Sequence, residues 1–160
     1  MKRLIALLLL IGITGCDAKK DQTNNAYSNG IKHAASENWD AAIASYTEAI
    51  RIMPDDAKAY YRRGIAYTEK GEYDKAIADN TKALRIDPKY VGAYYNRSIN
   101  YGQKKEFDKA IMDCTEAIRI DPNYARAYYI RAKAYHDKGD KAQADADLAK
   151  AKELGYPPDP

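Results

Sequence analysis

The sequence predicts an all-α chain folded as a solenoid of four like units, and three observations predict it. A segment starting at Ala59, AYYRRGIAYTEKGEYDKAIADNTKALRIDP, returns at Ala93 as AYYNRSINYGQKKEFDKAIMDCTEAIRIDP and again from Ala127, each time 34 residues on. Within a unit, positions four, seven, eight and eleven share one face at the helical period. A proline closes three of the units, at Pro54, Pro88 and Pro122, where one helix stops and the next starts. Counted backwards, GIKHAASENWDAAIASYTEAIRIMP from Gly30 falls into the same register. The units are therefore 23–56, 57–90, 91–124 and 125–158. A unit this short cannot bury its apolar face alone, so stacking on neighbours supplies the core.

The N-terminus is a different kind of sequence. Lys2 and Arg3 precede a continuous apolar run, Leu4 to Ile13, and small residues then lead to Cys16. A bilayer span needs about 20 apolar residues, so this shorter run reads as the core of a secretory signal peptide. Ile13, Thr14, Gly15 and Cys16 resemble a bacterial lipoprotein signal. That resemblance implies cleavage after residue 15, lipid on the Cys16 thiol, and stable anchorage through several acyl chains. An ordinary signal cut near Gly15, or an uncleaved anchor, is the other reading of the same residues. The lipoprotein reading places the chain in a bacterial cell envelope, facing the periplasm, and Asp17 resembles the signal that retains such proteins in the inner membrane. Residues 16–25, with DAKKDQTNN after the cysteine, lack apolar periodicity and are expected to form a flexible tether.

The repeated part resembles the tetratricopeptide repeat, a helix–turn–helix unit, over residues 26–154, with 155–160 as a tail. The residues that carry the likeness are small ones at fixed places: Gly30, Gly64, Ser98 and Ala132 at position eight; Ala42, Ala76, Ala110 and Ala144 at twenty; Ala49, Ala83, Ala117 and Ala151 at twenty-seven. The resemblance implies a right-handed α-solenoid of four antiparallel helix pairs whose first helices line a concave groove. Gly71 and Gly139 suit the left-handed turn between paired helices, whereas Glu37 and Lys105 occupy it elsewhere. Position twenty-four, usually large and apolar in the family, is Tyr46, Asn80, Cys114 and Leu148. The last helix puts Lys141, Asp145 and Lys152 where a further unit would pack, as a terminal unit requires.

On the inward stripe, position seven is Arg63, Arg97 and Arg131, where the family commonly has leucine. A buried guanidinium needs a charged partner. Position twenty-three supplies Asp79, Asp113 and Asp147 in the same three units, while the first unit has Asn29 and Ser45 instead. Partly buried Arg63–Asp79, Arg97–Asp113 and Arg131–Asp147 pairs are therefore expected. The alternative is that both sets are solvated and duplication alone explains their match.

The groove positions carry a tyrosine ladder, Tyr27, Tyr61, Tyr95 and Tyr129, flanked by Lys58, Arg126, Ile65, Ile99, Thr68, Glu69 and His136. Tyrosine offers large contact area at low entropic cost, which suits recognition of a peptide or helix of a partner protein. The expectation is a membrane-tethered scaffold for assembling an envelope complex. The alternative is a module binding an envelope polysaccharide or peptidoglycan. Some family members clamp a partner's terminal carboxylates with basic and asparagine side chains, but only Asn96 and Arg126 match that pattern here, so this mode is not expected.

Other chemistries find little support. The formal charge is +3, and loss of residues 1–15 removes Lys2 and Arg3 and no acid, leaving +1, so nothing favours nucleic acid. His33 and His136 are the only histidines and have no ligand at metal spacing. If Cys16 carries lipid, Cys114 has no disulfide partner, and its core position suits an inert thiol. Neither a nucleophile motif nor a phosphate loop is present, so no enzyme, cofactor or metal is expected. Oligomeric state is not legible.

Overall fold

The computed structural model describes residues 2–156, with side chains from residue 19 onward. Eight helices follow one another: α1 (Lys2–Ala35), α2 (Trp39–Ile52), α3 (Ala57–Glu69), α4 (Tyr73–Ile86), α5 (Val91–Gln103), α6 (Phe107–Ile120), α7 (Ala125–Lys138) and α8 (Lys141–Glu153). The described residues contain no strand. Each odd helix packs on the even helix after it, and each even helix on the next odd one. Helix α5 also touches α3 and α7, while successive even helices make no comparable contact. The odd helices therefore form the inner side of the curve and the even helices the outer side. This is the expected solenoid of helix pairs.

Alanine builds the interior. Ala42, Ala49, Ala76, Ala83, Ala110, Ala117, Ala144 and Ala151 are all buried, so neighbouring helices approach with only a methyl group between backbones. Position eight is matched in size to position twenty-four of the same unit. A Cβ on Gly30 would stand 2.4 Å from the Tyr46 ring, and one on Gly64 would stand 2.7 Å from Asn80 Nδ2. Tyr46 fits because it lies over a glycine, and its ring is fully buried. In the first two units the side chain at position twenty-four is thus accommodated by a glycine at position eight, as close packing requires.

Each helix pair turns through one left-handed residue: Glu37 (φ 55°), Gly71 (φ 74°), Lys105 (φ 60°) and Gly139 (φ 88°). The residue after it closes the turn in every unit, donating its amide to a carbonyl of the preceding helix; Glu72 N–H reaches Tyr67 O at 2.9 Å. Two units therefore hold the turn without glycine, against a cost of about 1–2 kcal/mol each. Asn38, Asp56 and Asp140 cap α2, α3 and α8 by accepting backbone amides.

Two expectations are corrected. Residues 19–25, read as part of a flexible tether, belong to α1. Once α1 is held against α2, each added residue gains a backbone hydrogen bond without a new nucleus. Thr23 is buried, and its hydroxyl donates to Lys19 O at 2.9 Å. The tail is also tied down at its start: Gly155 (φ 82°) ends α8, and Tyr156 packs on Tyr129 with ring centroids 4.7 Å apart. The remainder of the tail, 157–160, lies outside the described residues, as does the side chain of Cys16. On the last unit, Lys141, Asp145 and Lys152 are exposed. Among the described residues no helix is long and apolar enough to cross a membrane.

Candidate functional site

Arginine and tyrosine build two surfaces on the odd helices, and adjacent residues of α3 separate them. The first is a seam. Arg63 Nε and Nη2 donate to the two carboxylate oxygens of Asp79 at 2.7 and 2.8 Å. Arg97 grips Asp113 in the same two-pronged way, and Arg131 grips Asp147. These side chains are largely buried; Arg97 is 17% exposed and Asp113 7%. Burial raises the Asp113 carboxyl above its usual range despite the opposing pull of Arg97. The pair is thus held against a desolvation penalty, and it specifies geometry more than it adds net stability.

The third prong of each guanidinium crosses to the preceding unit. Arg63 Nη1 donates to Thr47 Oγ1 and Arg97 Nη1 to Thr81 Oγ1, both at 2.9 Å, and Arg131 Nη1 to Thr115 Oγ1 at 3.1 Å. Each arginine also lies between tyrosines of its own helix; Arg63 Cζ is 5.7 Å from the Tyr60 ring and 5.9 Å from that of Tyr67. A second set of links joins Lys70 to Asp40, Lys104 to Asp74 and Lys138 to Asp108, again between successive units. Both sets end where the neighbours end: the last unit has Ala142 and Ala149 at the Asp and Thr positions, and the first has Asn29 and Ser36 at the Arg and Lys positions. Sequence reasoning missed the threonines, although their presence in three units and absence from the fourth was a readable signal.

The second surface is the groove. Its tyrosines do not stand as open faces. Tyr61 packs on Tyr90 with centroids 4.8 Å apart, Tyr95 on Tyr124 at 5.5 Å, and Tyr27 edge-on to Tyr46 at 5.7 Å. Gly92 leaves room for the Tyr61 ring, since a Cβ there would stand 3.1 Å from the phenol oxygen. The row therefore alternates ladder tyrosines with Tyr90 and Tyr124, which close one unit and lead into the next helix. Burial pushes Tyr95 up to about 12 and raises Tyr61, Tyr90 and Tyr124. Arg62 Nε donates to the Tyr27 hydroxyl at 3.3 Å, and Arg126 lies against the hydroxyl of Tyr124.

The remaining expected groove residues divide. Lys58, Glu69, Arg126 and His136 are exposed, and Ile65 and Ile99 are half-buried beside the tyrosines. Tyr129 is corrected: it is 8% exposed because Tyr156 covers it and Lys133 lies over its ring, so it offers little contact area. Thr68 is corrected as well. It accepts from Asn100 Nδ2 at 2.9 Å, and its own hydroxyl lies 3.0 Å from Gly64 O, which commits it to packing between α3 and α5. Sequence reasoning missed Arg62, Tyr90, Tyr124 and Tyr156. The recurrence of tyrosine at 90 and 124, in the last position of two units, was the available signal.

No group of three His, Cys, Asp or Glu among the described residues could hold a metal. Burial pushes the Cys114 thiol up to about 12, which keeps it protonated and unreactive.

The comparisons agree on the kind of fold. Models described as "TPR repeat" match residues 32–71 and 100–139, and models described as "Tetratricopeptide repeat" match 57–90 and 125–154. No curated protein matches the chain. Among solved structures, MamA is 28% identical at a TM-score of 0.79, over 88% of this chain and 82% of MamA. The Arabidopsis OM64 TPR domain is 25% identical at 0.72, over 74% and 98%. The first TPR domain of Spaghetti (RPAP3), solved with the HSP90 peptide SRMEEVD, shares the fold at 20% identity and 0.73, over 74% and 94%. With repeat matches across all four units, an alanine-lined stack of eight helices and these structural likenesses, the chain belongs to the tetratricopeptide repeat family.

Proposed function

We propose that this tetratricopeptide scaffold is a lipid-anchored adaptor that holds a segment of a partner protein in its groove. The family is in general a protein-binding, non-catalytic one, and a structure of the same fold carries a bound peptide. The observation that carries the reading is the row of half-buried tyrosines on and just before the odd helices, whose rings are fixed by packing on one another. Rings already ordered lose little entropy on binding, and hydroxyls can bond a peptide backbone. Because the rings pack on each other, they present edges more than flat faces, which favours a peptide over a stacked sugar. The anchor in this reading is Cys16, with Asp17 favouring the inner membrane of a bacterial envelope. Anchorage confines the partner near the membrane and makes a second contact effectively intramolecular.

Crosslinking in cells, comparing the native chain with Tyr61→Ala/Tyr95→Ala and with Cys16→Ser, tests both halves. The expected result is an envelope protein captured by the native chain, lost in the tyrosine variant, and captured from the soluble fraction in the Cys16→Ser variant. Capture that persists in the tyrosine variant overturns the groove, and unchanged membrane fractionation of Cys16→Ser overturns the anchor.

A further inference from the structure

Charge on the groove names a class of partner. Arg51, Arg63, Arg97, Arg119 and Arg131 each hold a carboxylate at 2.7–2.9 Å. Arg62 and Arg126 hold none among the described residues, and both border the tyrosine row. Arg62 bonds one prong of its guanidinium to the Tyr27 hydroxyl and Arg126 lies near that of Tyr124, and a neutral phenol leaves the charge unneutralised.

Two carboxylates beside the row already accept backbone amides. Asp56, beside Tyr90, accepts the amides of Lys58 and Ala59. Asp121, beside Tyr124, accepts the amide of Asn123 at 3.0 Å. Both arginines also act on the same phenol, that of Tyr61 between them, where each opposes the rise that burial causes. Arg85, on the outer helix α4, also lacks a carboxylate, so on the odd helices Arg62 and Arg126 are the arginines left without one among the described residues.

We propose, resting on the groove reading above, that the partner segment is acidic and extended, with one Asp or Glu side chain on Arg62 and a second on Arg126. Arg62 stands on α3 and Arg126 on α7, with α5 between them. Packed helices lie roughly 8–10 Å apart, so the two charges are separated by more than one helix width. An extended chain advances about 3.3 Å per residue, which sets the two acidic side chains at least about three residues apart. A single C-terminal carboxylate cannot engage both. Asn96, on the intervening helix, is 6% exposed, and its Nδ2 is buried and without a hydrogen-bond partner, so a terminus outside cannot reach it as the side chain stands. The phenol hydroxyls between the two arginines then bond the peptide backbone.

The test is selection from a randomised peptide library with blocked termini, using the full chain in detergent micelles, alongside a companion library with free C-termini. The expected result is enrichment of paired Asp or Glu at a fixed spacing, with affinity falling steeply as salt rises. Arg62→Gln/Arg126→Gln is expected to lower the affinity of a selected peptide at least about tenfold, with Arg62→Lys/Arg126→Lys recovering part of it. Both arginines are exposed, so an unchanged melting temperature separates a binding defect from unfolding. Acidic enrichment that survives the Gln variant overturns the proposal, as does enrichment confined to free C-termini. Enrichment of non-acidic sequences that Tyr61→Ala/Tyr95→Ala abolishes also overturns it, while leaving the groove reading intact. Retention of no peptide of any kind overturns both.

Discussion

Arg62 and Arg63 are neighbours on one helix turn, yet they belong to regions with opposite physics. Arg63 is gripped by both oxygens of Asp79, tied to Thr47, and flanked by two tyrosine rings. Arg62 reaches only a phenol and keeps its charge. Residue type therefore does not separate the seam from the groove, since both consist of arginine and tyrosine. What separates them is whether a carboxylate lies within reach. Where one does, the arginine becomes structure; where none does, it is left available to a ligand.

The sharpest way to break the seam is to remove one partner. Asp113→Ala leaves Arg97 buried and unpaired, which should cost about 3 kcal/mol and lower the melting temperature by roughly 10 °C in thermal circular dichroism. Arg97→Leu/Asp113→Leu should cost clearly less than Asp113→Ala alone, because no charge is stranded. Equal costs would show that the two side chains are not coupled. Gly30→Ala comes next, at about 2 kcal/mol, because its methyl meets the buried Tyr46 ring. Gly102→Ala is the control, since a Cβ there meets nothing within 4 Å and should stabilise the helix instead.

Thr81→Val removes the hydrogen bond between units and should cost about 1 kcal/mol, read from a denaturant midpoint. Lys105→Gly relieves a left-handed residue and should stabilise by roughly the same amount. The groove responds to pH rather than to packing changes. Burial raises the pKa of Tyr95 to about 12 from an ordinary value near 10. The folded state therefore binds the phenol proton more tightly than the unfolded state does. This contribution to stability is complete below about pH 10 and is lost as pH rises towards 12. A phenolate absorbance titration should show the row tyrosines ionising after the exposed ones; a single early transition would mean the row is open to water.

How far the sequence alone reaches differs between the two regions for the same reason. Arg63–Asp79 was legible because both residues recur and disappear together, so the repeat acted as its own alignment. Tyr61 and Tyr95 were legible as groove residues by the same recurrence. Their covering by Tyr90 and Tyr124 was not, because a residue between helices has no face until the turn geometry is known. Tyr129 misled for a related cause: its cover, Tyr156, lies in a tail with no counterpart in the other units. Arg62 was not legible because it does not recur; its equivalents are Asn96 and Ile130. A binding site need not repeat, and repetition is therefore a better guide to structure than to recognition. The helical course of residues 19–25 was hidden because it depends on the packed helix it extends, not on a pattern of its own.

The links between units run only to the next layer, arginine to threonine and lysine to aspartate, and stop at both outer faces. A stack joined in this way has no member that spans its length. Pulled along its axis, it should yield layer by layer from an end, as a zipper does, with each step releasing one unit's worth of chain. Under the anchorage and groove binding proposed above, such a stack would act as a graded mechanical fuse.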